Sequence, residues 1–205
     1  MTLPYERDGV RTRRIPRCPD CWLHVASCVC AELPRLQVAT RVVLVMHHVE
    51  LRRSSNTGRI AARVLGAEVR VRGLPGATPE PPPEGRRLVL FPGEGARVLT
   101  REDAAAGPVT LVVPDGNWKQ ASRAVQRDEA AAGAEIVTLP PGPPSRYRLR
   151  RRPNDVALCT CEAIARALAI LEGPEIEPEM MRALDLFVER TLALRGSSPA
   201  AGDDD

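Results

Sequence analysis

Aromatic side chains make up only 3% of this 205-residue chain. A core cannot then rest on stacked rings and must come from valine, leucine, isoleucine and alanine, which suits a buried sheet flanked by helices. Long apolar runs are missing as well. Nothing approaches the ~20 residues that a helix needs to cross a bilayer, so no membrane association is expected. Met1 to Arg17 is charged with no apolar segment behind it and does not read as a secretory leader, so a soluble cytoplasmic protein is expected. Lysine is nearly absent: Lys119 stands alone among 29 basic residues, so an arginine at any one place says little about a choice against lysine. What is present, 43% hydrophobic residues, is enough for the core of one ordinary domain with a small appendage.

The net charge of +3 is unevenly placed. Arg11, Arg13, Arg14 and Arg17 open the chain, Arg146, Arg148 and Arg150 to Arg152 form a second cluster, and Asp203 to Asp205 close it. A patchy basic surface suits a polyanion such as RNA held through its phosphates. A merely solvated basic face is the alternative.

Cys18-Pro-Asp-Cys21 and Cys28-Val-Cys30 place four thiols close together. In a reducing compartment this spacing is explained better by a metal than by disulfides, and four thiolates suit tetrahedral zinc. Four protein ligands would saturate the ion, so the zinc would be structural. Redox chemistry or unligated thiols are the other readings. His24 could replace a thiolate, although a surface histidine is the simpler account. The closed knuckle would fix the arginine-rich arm and Trp22 against the body. Cys159 and Cys161 read as small buried residues.

Hydrophobic periodicity predicts strands at Val38–Met46, Glu68–Arg72, Arg87–Phe91, Thr110–Val113 and Glu135–Leu139. Helices are predicted at Arg59–Leu65, Trp118 to about Glu129, Cys159–Leu171 and Glu179–Leu194. This order argues for an α/β fold with a largely parallel sheet and flanking helices. Residues 1–34 would form the basic arm and knuckle, 35–195 the main domain, and 196–205 a disordered acidic tail.

Polar groups recur where strands end: His47 to Glu50, Pro92 to Gly95, and Pro114 to Arg123. In the last of these, Pro114-Asp-Gly116 is turn chemistry, and Asn117 with Gln120 resembles a capping box at the start of a helix. Such a corner lies where α/β sheets bind ligands, and exposed amides there favour an anion. Asp115 and Trp118 are therefore functional candidates, against the alternative of a capping Asp and a core Trp. Ser54 to Gly58 is a second candidate loop, with an ordinary N-cap as its plain reading.

Taken together, these loops resemble the DTW-domain proteins, the tRNA-uridine aminocarboxypropyltransferases. The resemblance runs from Cys18 to about Leu194. It rests on the cysteine knuckle, His47 with Glu50, Asn56-Thr-Gly-Arg59, Leu90-Phe-Pro92, Asp115-Gly-Asn-Trp118, Ser145-Arg-Tyr-Arg-Leu-Arg150 and Thr160-Cys-Glu-Ala163. It implies a SPOUT-like fold, knotted around an S-adenosylmethionine site, with an N-terminal zinc knuckle. It also implies transfer of the cofactor's 3-amino-3-carboxypropyl group to N3 of a tRNA uridine, releasing 5′-methylthioadenosine.

Carried over by motif position, Asp115 and Trp118 would be catalytic, and Thr57, Gly58, Leu90, Phe91, Pro92, Asp115, Asn117, Trp118, Thr160 and Glu162 would hold the cofactor. Arg13, Arg14, Arg17, Arg59, Arg146, Arg148 and Arg150 would hold tRNA, and Cys18, Cys21, Cys28 and Cys30 the zinc. Two positions depart from the pattern: Asn117 stands where Thr is usual, and His48 where Pro is common. A SPOUT-type RNA methyltransferase and a non-catalytic zinc RNA-binding protein are the competing readings. The oligomeric state stays open, with a monomer the simpler expectation.

Overall fold

The computed structural model describes residues 15–76, 78–150 and 157–196. The expectations for Arg13, Arg14 and the chain from Ser197 onward lie outside the described residues. The apolar stretch Arg41–His47 forms β1, buried continuously from Val42 to Met46. Unbroken burial is what a parallel strand covered on both faces requires. The same holds for β5, Val109–Asp115. Shorter strands are β2 (Glu68–Arg72), β3 (Arg86–Leu90), β4 (Arg97–Val98) and β6 (Glu135–Thr138). They form one sheet in the order β2-β1-β5-β3-β6-β4, with every pairing parallel.

Helices cover both faces. Residues alternate along a strand, so Leu111 and Val113 of β5 join the larger core while Val112 joins the smaller. The larger core collects α1 (Gly58–Leu65), α4 (Thr160–Leu171) and α5 (Ile176–Gly196). The smaller is closed by Ala121 and Ala124 of α3 (Trp118–Arg127). Leu23, Val29 and Leu33, from the cysteine-rich segment and just after it, are buried in the larger core, so this segment packs on the sheet domain. No helix among the described residues is long and apolar enough to cross a membrane.

The departures from the predicted elements have local causes. β1 begins at Arg41 rather than Val38 because the amides of Ala39 and Thr40 donate to the Glu172 carboxylate, at 3.1 and 2.6 Å, and are not free for a sheet ladder. α5 begins at Ile176, three residues before the expected start, because Pro178 sits in the first turn, where no amide donor is needed. β4 and α2 (Glu102–Ala105) are too short for periodicity to reveal. They are held by the buried Asp103, which pairs with Arg86 at 2.8 Å and Arg97 at 2.6 Å.

Leu111 is fully buried in the larger core. Leu111→Ala is expected to lower the unfolding free energy by about 2–5 kcal/mol. The check is a shifted urea midpoint at unchanged slope.

Candidate active site

Asp115 is the last residue of β5 and lies opposite Met46 of β1. From β1 the chain goes to β2 on one side, while β5 and β3 lie on the other. A sheet of this kind leaves a crevice at the carboxyl ends of such strands. Adjacency in the sheet thus brings together three strand ends that are far apart in sequence: the polar His47–Glu50 and Asp115–Trp118, and the apolar Phe91–Pro92.

Asp115 is almost wholly buried. Asn56 Nδ2 donates to its Oδ2 at 2.7 Å, and Thr160 Oγ1 donates to its Oδ1 at 2.6 Å. Burial pushes its carboxyl pKa up. The two donated bonds pull it down, the nearby Glu50 charge adds to the rise, and Arg150 opposes it. Gly58 and Thr160 open α1 and α4, so two helix N-termini meet this carboxylate and their partial positive charge favours it. Gly58 is required by packing: a Cβ there would lie 2.5 Å from Asp115 Oδ2 and 2.9 Å from Leu44 Cδ2.

Asn56 shares its amide with a second buried carboxylate, Glu50, at 3.2 Å. Glu50 also accepts from Arg150 at 2.6 Å, and Arg150 Nε donates to Ser55 Oγ at 2.8 Å. Tyr147 donates its hydroxyl to the Ser55 carbonyl. Glu162 accepts from Ser145 Oγ at 2.7 Å, from the Arg146 amide at 2.8 Å and from the Cys159 amide at 2.9 Å. Thr57 Oγ1 accepts the Cys161 amide at 3.3 Å. Thr57 and Glu162 therefore hold the chain together around Asp115, the one tying α1 to α4 and the other tying residues 145–146 to the start of α4.

The corner after Asp115 has both halves of the capping box: Asn117 Oδ1 accepts the Gln120 amide at 2.9 Å, and Gln120 Oε1 accepts the Asn117 amide at 2.8 Å. The amides of Trp118 and Lys119 remain in the first turn, which offers them no acceptor of its own. Trp118 is 60% exposed, so neither a core position nor an enclosed wall describes it. Its indole stacks on Phe91 with centroids 4.9 Å apart, forming an aromatic rim beside buried Leu90 and exposed Pro92. His47 approaches Gly116 from β1. Burial, then the charges of His48 and Arg72, hold its pKa below the usual histidine value, so its imidazole is neutral at pH 7. Its Nδ1 accepts the Val49 amide at 3.3 Å.

The ligand atoms of Cys18, Cys21, Cys28 and Cys30 all lie within 4.8 Å of one another. The Sγ separations Cys18–Cys30 and Cys21–Cys28 are both 3.7 Å. Zn–S bonds of about 2.3 Å in a tetrahedron give edges of about 3.8 Å, so this donor set fits zinc. Burial raises the pKa of the Cys21 and Cys30 thiols, a cost that a bound dication would offset.

The arginines assigned to RNA divide. Arg17, Arg146 and Arg148 are at the surface. Arg17 donates to the Trp22 carbonyl at 2.9 Å, and Arg146 pairs with Asp185. Arg150 is turned inward onto Glu50. Arg59 is only 8% exposed, and its NH1 and NH2 donate to the carbonyls of Asp20 and Leu51 at 3.0 and 2.6 Å. Those donors are already used inside the fold, so the geometry does not favour a phosphate contact at Arg59.

The DTW domain profile matches residues 15–192. The chain belongs to the DTW-domain family. Among curated proteins it is 30% identical over 180 residues to "tRNA-uridine aminocarboxypropyltransferase 2" of Drosophila melanogaster, covering 82% of this chain and 72% of that protein. Proteins of the same name from Macaca fascicularis and Mus musculus are 28% and 29% identical over 78% of this chain, which spans 58% and 57% of their lengths. No solved structure matches.

Within this DTW domain, Glu50 and Asn56 were legible as motif members but not as partners of Asp115, and Ser55 and Tyr147 gave no separate signal. A buried glutamate between a strand end and a hydroxyl-rich loop was the available clue. Gly58→Ala forces its new methyl group against Asp115. It is expected to cost about 1–3 kcal/mol of stability, checked by thermal unfolding.

Proposed function

We propose that this chain transfers the 3-amino-3-carboxypropyl group of S-adenosylmethionine to N3 of a uridine in tRNA. The observation that carries this reading is the single bonded network of Glu50, Asn56, Asp115, Arg150 and Thr160 at the ends of β1 and β5. Membership of the DTW-domain family and the names of its relatives support the same reading.

When bound, S-adenosylmethionine supplies an electrophilic carbon beside its sulfonium, and the product depends on which carbon faces the nucleophile. The unpaired amides of Trp118 and Lys119 suit a carboxylate. Leu90, Phe91 and Pro92 offer an apolar edge beside them, while Thr57, Gly58, Thr160 and Glu162 shape the floor around Asp115. The N3 proton of uridine must leave. Asp115 takes it or orients the group that does, and the neutral His47 beside Gly116 is the second group fit to accept it. Surface arginines Arg17, Arg146 and Arg148 would hold tRNA phosphates, and the cysteine knuckle a structural zinc.

We read the fold as SPOUT-like and knotted in its C-terminal part. The parallel sheet supports this, as does the way Ser145–Arg150 is tied both to α4 and to the loop after β1. A cytoplasmic location and a monomer complete the proposal.

Incubation with tRNA and S-adenosylmethionine labelled in the aminocarboxypropyl group is expected to move label into RNA as a modified uridine, read by nucleoside mass spectrometry. Transfer from methyl-labelled cofactor instead would make the chain a methyltransferase, and no transfer despite RNA binding would make it a binding protein. Asp115→Asn is expected to abolish transfer. Because the native carboxyl pKa is raised, Asp115 favours the folded state at acidic pH and loses that contribution as pH rises through the raised value. Asparagine keeps one acceptor oxygen but turns an Nδ2 donor toward the donor group of Asn56 or Thr160, so the melting temperature is expected to fall at neutral pH while the fold is retained. If His47 is the base, kcat/KM has an acidic limb below the ordinary histidine range, and His47→Gln removes that limb in a pH profile.

A further inference from the structure

The cysteine knuckle and the carboxylate network are joined by two residues that the proposed reaction does not use. Trp22, next to Cys21, is the only described non-glycine residue at positive φ, at +62°. Such backbone costs of order 1 kcal/mol and persists only where surrounding contacts hold it. The Trp22 amide donates to the Cys18 carbonyl and Arg17 donates to the Trp22 carbonyl, both at 2.9 Å, while the side chain reaches outward: Nε1 donates to the Arg52 carbonyl at 2.9 Å, and the Arg59 guanidinium lies 5.6 Å from the indole ring centre.

Arg59 is the second link. One arm of its fork reaches the Asp20 carbonyl inside the knuckle, and the other reaches Leu51, next to Glu50. Its own amide donates to Asn56 Oδ1 at 3.0 Å, and the Nδ2 of that same side chain bonds Glu50 and Asp115. Burial works against the charge of Arg59, and the carboxylates of Asp115 and Glu50 favour it. The turn His48–Arg52, which carries Glu50, is thus gripped by the knuckle through both Trp22 and Arg59.

We propose that Arg59 and Trp22 form a strut through which the four-cysteine knuckle positions the Glu50–Asn56–Asp115 network, making Arg59 a positioning residue and the metal-loaded knuckle a condition for an ordered site. This rests on the proposed reaction only for its kinetic consequence. Lysine at position 59 keeps the charge but cannot reach two carbonyls with separate arms of a planar fork.

The experiment compares full-length, zinc-loaded wild type with Arg59→Lys and with chelator-stripped wild type. Hydrogen exchange is followed over residues 49–57, with residues 180–188 of α5 as the control. Stripping zinc is expected to speed exchange at 49–57 at least tenfold and leave the control unchanged. Zinc-loaded Arg59→Lys is expected to show the same acceleration while retaining its zinc. In turnover, kcat should fall roughly tenfold with the KM for tRNA unchanged and the same salt dependence. A phosphate contact predicts otherwise: lysine keeps the charge and would leave kcat, the exchange at 49–57 and the salt slope close to wild type.

Unchanged exchange at 49–57 after stripping, acceleration spread equally to the control, or wild-type exchange and kcat in Arg59→Lys would each overturn the strut. If wild type transfers nothing, the reaction assigned above fails while the exchange arm still decides the coupling. Should Arg59→Lys not fold, Trp22→Phe, which loses the Nε1 donor and part of the ring beside Arg59, takes its place under the same exchange criteria.

Discussion

The structure depends on one buried carboxylate. Asp115 sits where β5 ends, beneath the first turns of α1 and α4. Keeping a carboxylate out of water is expensive, and the fold offsets this with an amide, a hydroxyl and two helix dipoles. Each compensating group fixes a different segment. Asn56 fixes the loop after β1, Gly58 the start of α1, and Thr160 the start of α4. The carboxylate thereby adds a shared polar anchor to elements that also pack in the larger core.

A second carboxylate repeats the device one step outward. Glu50 is shared between Asn56 and Arg150, so Ser145–Arg150 is drawn back to the end of β1 across about a hundred residues of sequence. Removing Arg150 would leave the buried Glu50 carboxylate with Asn56 and a longer contact to Arg53 at 3.5 Å, which is costlier than losing an exposed pair. The exposed groups are of another kind. The Trp118 indole is exposed and stacks on Phe91, and His47 approaches Gly116 while its Nδ1 accepts the Val49 amide. Buried framework and exposed side chains are thus divided between neighbouring residues of a single corner.

Much of this was legible in the sequence. The β-branched runs of β1 and β5 announced a buried parallel sheet, and the predicted end of α1 at Leu65 is where the structure ends it, with Gly66 at a left-handed φ of +62° as its cap. The capping box at Asn117 and Gln120 was legible because both partners lie within one turn of helix, so geometry follows from spacing alone. β4 and α2 were not legible, since each is held by Asp103 and not by a pattern of its own. The first three residues of the expected first strand were misread for a similar reason, because Glu172 takes the amides of Ala39 and Thr40.

Arginine was the least readable residue. Arg59 and Arg148 look alike in sequence, yet one is buried as a fork between two carbonyls and the other is exposed. By itself the sequence determined what depends on neighbours along the chain: the α/β class, the helix caps, and a four-thiol set at metal-binding spacing. Only the tertiary structure decided which carboxylate, amide and guanidinium share a bond. Partners such as Asn56 and Asp115, or Glu50 and Arg150, are brought within 3 Å by the order of strands in the sheet, and local periodicity carries no record of that order.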